Sequence, residues 1–463
     1  MAKSERNSPI SRGFMLAAPH SGSGKTTLTL GLLAHLSGEG IPFRSAKAGP
    51  DFLDPKFHEL AGKRSCVNLD PWAMDEALIR HLANGASGHG DDTHGEDMPG
   101  DQGEPLIVEA MMGLFDGAAD GTGSAADLAR LLNLNVVLVV DAAKQSHSIA
   151  ALVSGFAAFR DDITVAGVIL NCVGSPRHEA MLREALAAIS MPVLGCVFRD
   201  KALEIPHRHL GLMQPDEIDG MDGFLDHAAK VCGASLDVAA LLDLKAPANH
   251  VSSVSSLKMM PPPGQSIAIA RDLAFSFIYP HLLQQWREQG ADICFFSPLQ
   301  NEAPHDGCDA IYLPGGYPEL HAEKLAGCDQ FMSEMRAHAA RGTAIFGECG
   351  GYMVLGEALI DAAGVAHKMT GLLPLTTSFA ARKLSLGYRK ALAMSDYAFA
   401  PMGHQLTAHE FHYSTVAEER LGDDGVERLF EVCDARGETL PYCGLRKGNV
   451  AGSYLHLIDR VIA

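Results

Sequence analysis

Short apolar runs alternate with helix-patterned stretches twice over in this chain of 463 residues. Such alternation specifies a parallel sheet covered on both faces, because each strand must be followed by a crossover before the next can be laid beside it. In the first half the candidate strands are 13–18, 105–109, 136–141, 165–171 and 193–198, with helices such as 26–36 and 125–132 between them. In the second half they are 266–271, 292–297, 310–313 and 344–347. Between the halves, 246–264 holds S-S-V-S-S and then P-P-P-G, the makings of an extended, semi-rigid connector. The expectation is two α/β domains, at 10–245 and 265–463, joined by a linker at 246–264. The stretch 84–104 has six glycines, six acids and no Lys or Arg, and reads as a surface insertion in the first domain. Its His89 and His94 are either solvated loop residues or metal ligands.

Composition excludes several classes of function. Lys and Arg number 37 against 56 Asp and Glu, a formal net charge of −19. A field of that sign repels phosphate backbones, so a nucleic-acid partner is not expected. No apolar run is long enough for a membrane helix, and residues 1–12 lack the apolar region of a signal peptide. The ten cysteines form no Cys-x-x-Cys pair, which points to reduced thiols in a cytoplasmic protein.

Residues 18–27 read A-P-H-S-G-S-G-K-T-T between an apolar strand and an apolar helix. Gly22 and Gly24 let backbone N–H groups turn inward around a phosphate, with Ser21 and Thr27 flanking the cradle. Lys25 supplies a point charge for the outer phosphates, and the Thr26 hydroxyl is placed to hold Mg²⁺. The loop departs from the usual G-x-x-x-x-G-K-T in having Pro19 where a glycine is customary. Acids are needed to complete such a metal site. Asp51 and Asp54 lie in K-A-G-P-D-F-L-D-P, Glu109 and Asp116 in V-E-A-M-M-G-L-F-D-G, and Asp141 closes V-V-L-V-V-D. Carboxylates at the carboxyl ends of parallel strands face the crevice where this architecture binds ligands, although each alone could be a solvated strand end.

The second chemical landmark is A-I-F-G-E-C-G-G-Y-M-V-L-G, a buried strand meeting a helix at Cys349. Glycines on both sides permit a sharp turn that lifts the thiol out of the sheet. The helix N-terminus behind it favours the thiolate and offers N–H groups, that of Gly350 among them, to an oxyanion. His456 in G-S-Y-L-H-L is the candidate base. In L-P-G-G-Y-P-E-L, Gly315 and Gly316 either form a plain tight turn or present a second oxyanion donor, assigned to Gly316.

A P-loop half joined to a G-E-C-G-G half resembles the cobyrinic or hydrogenobyrinic acid a,c-diamide synthases, glutamine-dependent amidotransferases of cobalamin biosynthesis. The resemblance runs from about residue 13 to residue 457 and includes N-L-D-P-W, L-G-Y-R and H-E-F-H-Y-S beside the motifs above. It implies a dethiobiotin synthetase-like P-loop domain followed by a class I glutaminase of flavodoxin-like fold. Position by position it makes Cys349 the nucleophile and His456 the base. Lys25 and Thr26 become the phosphate and Mg²⁺ groups, with Asp51 and Glu109 as further metal ligands. Many class I glutaminases carry a Glu two residues after the His; here Ile458 stands there, followed by Asp459, so a Cys–His dyad is expected.

The implied reaction is a ligation. A carboxylate is deactivated toward amines, so phosphoryl transfer from ATP must first make an acyl phosphate that ammonia can attack. Glutamine supplies the ammonia through a γ-glutamyl thioester on the cysteine, and the ammonia must then pass between the two domains without loss. The corrinoid acid carries several carboxylates while the chain is acidic. The densest basic cluster, Arg382, Lys383, Arg389 and Lys390, is therefore a candidate contact, with Asp54 and Asp116 as further substrate candidates, or else a solvated strand edge. His409-Glu410-x-His412 lacks the spacing of a helical zinc motif; on a strand, Glu410 and His412 would share one face. Cobyric acid synthase and nickel-sirohydrochlorin a,c-diamide synthase are alternatives that differ in substrate. A P-loop switch ATPase is the non-enzyme alternative, against which His20 counts by replacing the signature Lys of partitioning ATPases. An exposed ATP-binding domain is compatible with a homodimer.

Overall fold

The computed structural model describes residues 10, 12–85, 103–205, 214–215, 218–247, 257–397, 400–422 and 425–461. His89, His94 and most of the insertion at 84–104 lie outside the described residues, as does the middle of the connector. The chain forms two compact units. The first comprises Met1–Trp72 and Glu76–Leu257, and the second Ala73–Asp75 and Lys258–Ala463.

The first unit is built on seven parallel strands. These are β1 (Gly13–Ala17), β2 (Arg44–Ala48), β3 (Cys66–Leu69), β4 (Leu106–Glu109), β5 (Asn135–Asp141), β6 (Thr164–Val173) and β7 (Val193–Phe198), in the order β3-β2-β4-β1-β5-β6-β7. β1 and β5 read G-F-M-L-A and N-V-V-L-V-V-D, near-continuous apolar runs that suit strands buried on both faces. β2 breaks that rule, since R-S-A-K-A is buried throughout. Its Arg44 is satisfied by the carbonyls of Ala83 and Glu104, and its Lys47 by carboxylates. Composition alone does not mark such a strand, and neither β2 nor β3 is among the strands expected above.

The helix Lys25–Gly38 starts directly from the glycine loop and packs on the helix Met221–Ser235. Gly31 makes that approach possible, because a Cβ there would stand 2.5 Å from Cys232 Sγ. The helix Ala125–Leu132 begins at a reciprocal cap in which Ser124 and Asp127 each accept the other's backbone N–H.

In the second unit β8 (Ser266–Ala270), β9 (Asp292–Phe296), β10 (Ala310–Leu313) and β11 (Ala344–Glu348) are parallel, in the order β9-β8-β10-β11. That doubly wound order is the flavodoxin-like pattern. Sheet formation then continues in a way the alternation did not announce. β20 (Val450–Ser453) adds parallel to β11, and β19 (Thr439–Lys447), β18 (Val426–Asp434), β15 (Ser385–Ala393), β16 (Gln405–His412) and β21 (Leu455–Arg460) follow antiparallel. A separate four-stranded sheet holds β12 (Ala358–Ile360), β13 (Ala366–Lys368), β14 (Leu375–Ser378) and β17 (Thr415–Glu419).

The consequence for chemistry is that chain-distant residues meet at β11. Glu348 pairs in register with Ser453 on β20, and His409 with His456 on β21.

Candidate active site

The nucleophile candidate stands on a strained turn. Cys349, between β11 and the helix Gly350–Leu355, has φ 46° and ψ −101°, a backbone conformation that non-glycine residues rarely adopt. Its N–H donates to the Ser453 carbonyl at 2.8 Å, which ties the turn to β20. Its Sγ lies 3.7 Å from the Phe411 carbonyl on β16. Burial pushes the thiol pKa well up, and the Glu319 carboxylate pushes it further. The resting side chain is therefore a neutral thiol.

The Gly-Gly turn of L-P-G-G-Y-P-E-L lies against both the nucleophile turn and the base candidate. A Cβ on Gly315 would stand 2.3 Å from His456 Cε1, and one on Gly350 would stand 3.1 Å from the Gly316 amide nitrogen. Glycine is demanded by these approaches, and the two expected oxyanion donors, Gly316 and Gly350, are neighbours. His456 is fully buried, and burial lowers its pKa to about 3, with His409 acting in the same direction. It is a neutral imidazole, able to accept a proton.

Glu348, one residue before Cys349, was not singled out in the sequence. Its Oε2 lies 3.8 Å from His456 Nδ1, and its Oε1 accepts the Leu457 N–H at 3.2 Å. Burial raises its pKa to about 8. The signal was present, since a glutamate closing an otherwise apolar buried strand needs a partner, but the family resemblance points to the residues after the histidine instead. Asp459, the carboxylate found there, instead accepts the backbone N–H groups of Asp75 and Arg460.

L-G-Y-R and H-E-F-H-Y-S prove to be adjacent strands, β15 and β16. Glu410 accepts from Arg389 Nε at 2.7 Å and pairs with His412 Nε2 at 2.9 Å. His412 stacks on Tyr454 with ring centroids 3.8 Å apart. As a strand pattern requires, Glu410 and His412 share a face. Arg389 thus has its charge matched inside the unit, whereas Arg382 and Lys383 are exposed.

In the first unit the glycine loop and the strand-end acids converge. Gly22 and Gly24 have φ of 82° and 89°, the left-handed values that glycine alone takes without strain. A Cβ on Gly24 would meet Asn171 Nδ2, which donates to the Ser23 carbonyl at 2.9 Å and fixes the loop. Lys25 is buried and donates to the Met112 carbonyl at 2.5 Å. The Thr26 hydroxyl donates to Glu109 Oε1 at 2.7 Å, and Thr27 donates to the Leu203 carbonyl at 3.3 Å. Ser21 is exposed at the loop.

Two further residues, Lys47 and His58, complete a buried charge cluster. Lys47 Nζ lies 2.9 Å from Glu109 Oε1 and 2.7 Å from Asp54 Oδ2. His58 Nε2 lies 2.7 Å from Glu109 Oε2, with its Nδ1 3.4 Å from Cys66 Sγ. Burial opposes charging of His58, but Cys66 and Glu109 prevail and lift its pKa to about 10. Two anions and two cations therefore balance, the condition for keeping such groups out of water. Asp51 accepts the N–H groups of Leu53 and Asp54, both at 2.8 Å, and Asp116 accepts that of Gly113 at 2.8 Å. The Asp141 carboxylate accepts the N–H of Ala143 at 2.8 Å.

Among the described residues no three His, Cys, Asp or Glu side chains cluster as a metal cage. Mg²⁺ does not ask for one, because it commonly takes one or two protein oxygens and fills the remainder with phosphates and water. The hydroxyl of Thr26 and the carboxylates of Asp51 and Glu109 are hard oxygen donors of the right kind.

Comparison with known proteins finds a family match in each of the two units. Residues 266–460 match the CobB/CobQ-like glutamine amidotransferase domain, and residues 12–207 match an AAA domain. Over 448 residues the chain is 54% identical to the hydrogenobyrinate a,c-diamide synthase of Brucella suis biovar 1, covering 97% of this chain and 98% of that one. The protein of that name from Rhizobium meliloti is 53% identical, with 96% and 99% covered. The chain belongs to the hydrogenobyrinate a,c-diamide synthase family. The relative from Mesorhizobium japonicum, 46% identical with 98% and 99% covered, shares the same extent. A glutamine-dependent, ATP-using ligase of this family needs a nucleotide site and a glutaminase site, and the two units carry one landmark of each.

Proposed function

We propose that the protein amidates the a and c carboxylates of hydrogenobyrinate in cobalamin biosynthesis, using ATP to activate each carboxylate and glutamine as nitrogen donor. The constellation of Cys349, His456 and Glu348 carries the glutaminase half of this reading. His456 takes the Cys349 proton as the thiol attacks the carboxamide carbon. The oxyanion forms beside the N–H groups of Gly316 and Gly350. The resulting imidazolium is held by Glu348 across Nδ1 and then protonates the amide nitrogen, which leaves as ammonia as the C–N bond breaks. Water, deprotonated by His456, releases glutamate from the thioester.

In the first unit the loop at Ser21, Gly22 and Gly24 wraps the ATP phosphates, with Lys25 and Lys47 offsetting their charge. Thr26, Asp51 and Glu109 would hold Mg²⁺, which when bound neutralises developing charge on the transferred phosphoryl group. Glu109 can do so while keeping its present partners, since an ionised carboxylate has about four acceptor positions. The relatives' names favour the metal-free substrate over cobyrinate. The exposed Arg382 and Lys383, together with Asp54 and Asp116, remain the candidates for touching the corrinoid acid. Ten free cysteines support a reducing, cytoplasmic setting, and no described helix is long and apolar enough to cross a membrane.

The test is mass spectrometry of products formed with ATP, Mg²⁺ and hydrogenobyrinate, with either glutamine or an ammonium salt supplied. The wild type should form the diamide with both. Cys349→Ala should lose the glutamine-dependent reaction by at least about 10³-fold and keep the ammonia-dependent one. Loss of both reactions in a folded variant would rule out two separate sites.

A further inference from the structure

Beside the nucleophile turn, Glu319 is a carboxylate that the reaction above leaves without a task and, unlike Glu410, without a cation paired to it. It is the next-to-last residue of L-P-G-G-Y-P-E-L, in the short turn Pro318–Leu320. That turn is pressed against the thiol-bearing loop, since a Cβ on Gly350 would meet Pro318 Cδ at 2.8 Å. The carboxylate acts electrostatically on Cys349 more strongly than any other acid does. Yet its Oε2 is buried and has no hydrogen-bond partner. Arg382, the cation that acts on it, is an exposed side chain and makes no ion pair with it. Burial accordingly lifts the Glu319 pKa to about 7.

A buried carboxylate oxygen with no partner costs stability unless something arrives to pair with it. What arrives at this thiol is glutamine, which carries an α-ammonium group. We propose that Glu319 accepts the α-ammonium of glutamine and is the residue through which the glutaminase unit recognises its nitrogen donor. The assignment rests on the reading of Cys349 as the glutamine nucleophile.

Recognition and activation then share one charge. With the site empty, the carboxylate opposes formation of a thiolate at Cys349. An ammonium bound to Glu319 cancels that opposition, so the thiol becomes easier to deprotonate when the correct substrate is present. An amide lacking the ammonium fails on both counts: it leaves Glu319 unpaired and the thiol protonated.

Glutaramate, which is glutamine without its α-amino group, is the probe. The holoenzyme should hydrolyse glutamine with a kcat/KM at least about 10²-fold above that for glutaramate, because a site built to bind a polar group rejects the analogue without it. This comparison needs no variant, and equal use of the two amides by the wild type overturns the proposal. Glu319→Gln should bring the ratio close to one, mainly by raising KM for glutamine, and Glu319→Asp should restore part of it. The Gln variant should also let iodoacetamide alkylate Cys349 faster in the absence of glutamine. Retention of the wild-type ratio in Glu319→Gln overturns the proposal as well. Its failure is separable from that of the parent reading: if Cys349→Ala keeps glutamine-dependent amidation, the nucleophile assignment itself falls.

Discussion

Burying a carboxylate 3.8 Å from the candidate base His456 requires compensation, and Glu348 finds part of it in the Leu457 N–H. The arrangement has a measurable pH signature. Glu348 titrates near 8 in the folded protein against an ordinary value of 4.5, so the folded state holds its proton more tightly than the unfolded chain. Its contribution to stability is therefore present at low pH and lost as pH rises from about 4.5 to about 8. Glu348→Gln should flatten that decline, seen as an unfolding midpoint that falls less between pH 5 and pH 8 than in the wild type. The same variant can no longer hold an imidazolium, so glutaminase kcat should drop by about 10²–10³-fold and lose its rise toward pH 8. An unchanged pH profile would remove Glu348 from the mechanism. The residues legible from sequence were those whose neighbours announced them, such as Cys349 among glycines and Lys25 before two threonines. Glu348, Lys47 and His58 escaped because each also neighbours a residue far away in the chain, His456 or Glu109, and spacing along the sequence cannot display that.

Elements were legible where burial imposes a strand's apolar run or a helix's apolar face. Val193–Phe198, Ala310–Leu313 and Ala125–Leu132 fall where the pattern puts them. β2 was not, because its buried positions include Arg44 and Lys47, which are stabilised by pairing rather than by apolarity. The antiparallel strands after Leu375 were missed for a different reason. Strands such as T-V-A-E-E have no buried position, so their apolar content is low and helical or loop readings compete. The junction of β11 with the helix Gly350–Leu355 depends on close approach to β10, since a Cβ on Gly351 would lie 2.0 Å from the Leu313 carbonyl oxygen. Backbone cannot yield there as a side chain can. Gly351→Ala should therefore displace the helix, lower stability in urea by about 1–3 kcal/mol and impair hydrolysis of glutamine. A variant with wild-type stability and activity would show that the junction is softer than its packing implies.

At the scale of the whole chain, the connector marked by its Ser/Pro composition contains the boundary between Leu257 and Lys258. Nothing in the sequence betrays that Ala73–Asp75 belong to the second unit, held there by hydrogen bonds from the Thr407 hydroxyl to the Ala73 carbonyl and from Asp75 N–H to Asp459. Three residues with ordinary composition carry no pattern. Assignment of one half-reaction to each unit predicts an asymmetry between variants. Lys25→Ala should abolish diamide formation from glutamine and from ammonia alike, by at least about 10²-fold, while glutamine hydrolysis remains measurable. Release of glutamate and formation of ADP, followed in parallel, would expose any failure of that division.

The buried, protonated state of Cys349 has a bearing on durability in air. Peroxides attack thiolates far faster than thiols, and the first product, a sulfenic acid, can proceed to forms no ordinary reductant reverses. On the proposed reading of Cys349 as nucleophile, a thiol sealed in the fold and held neutral between turnovers presents oxidants with little to attack.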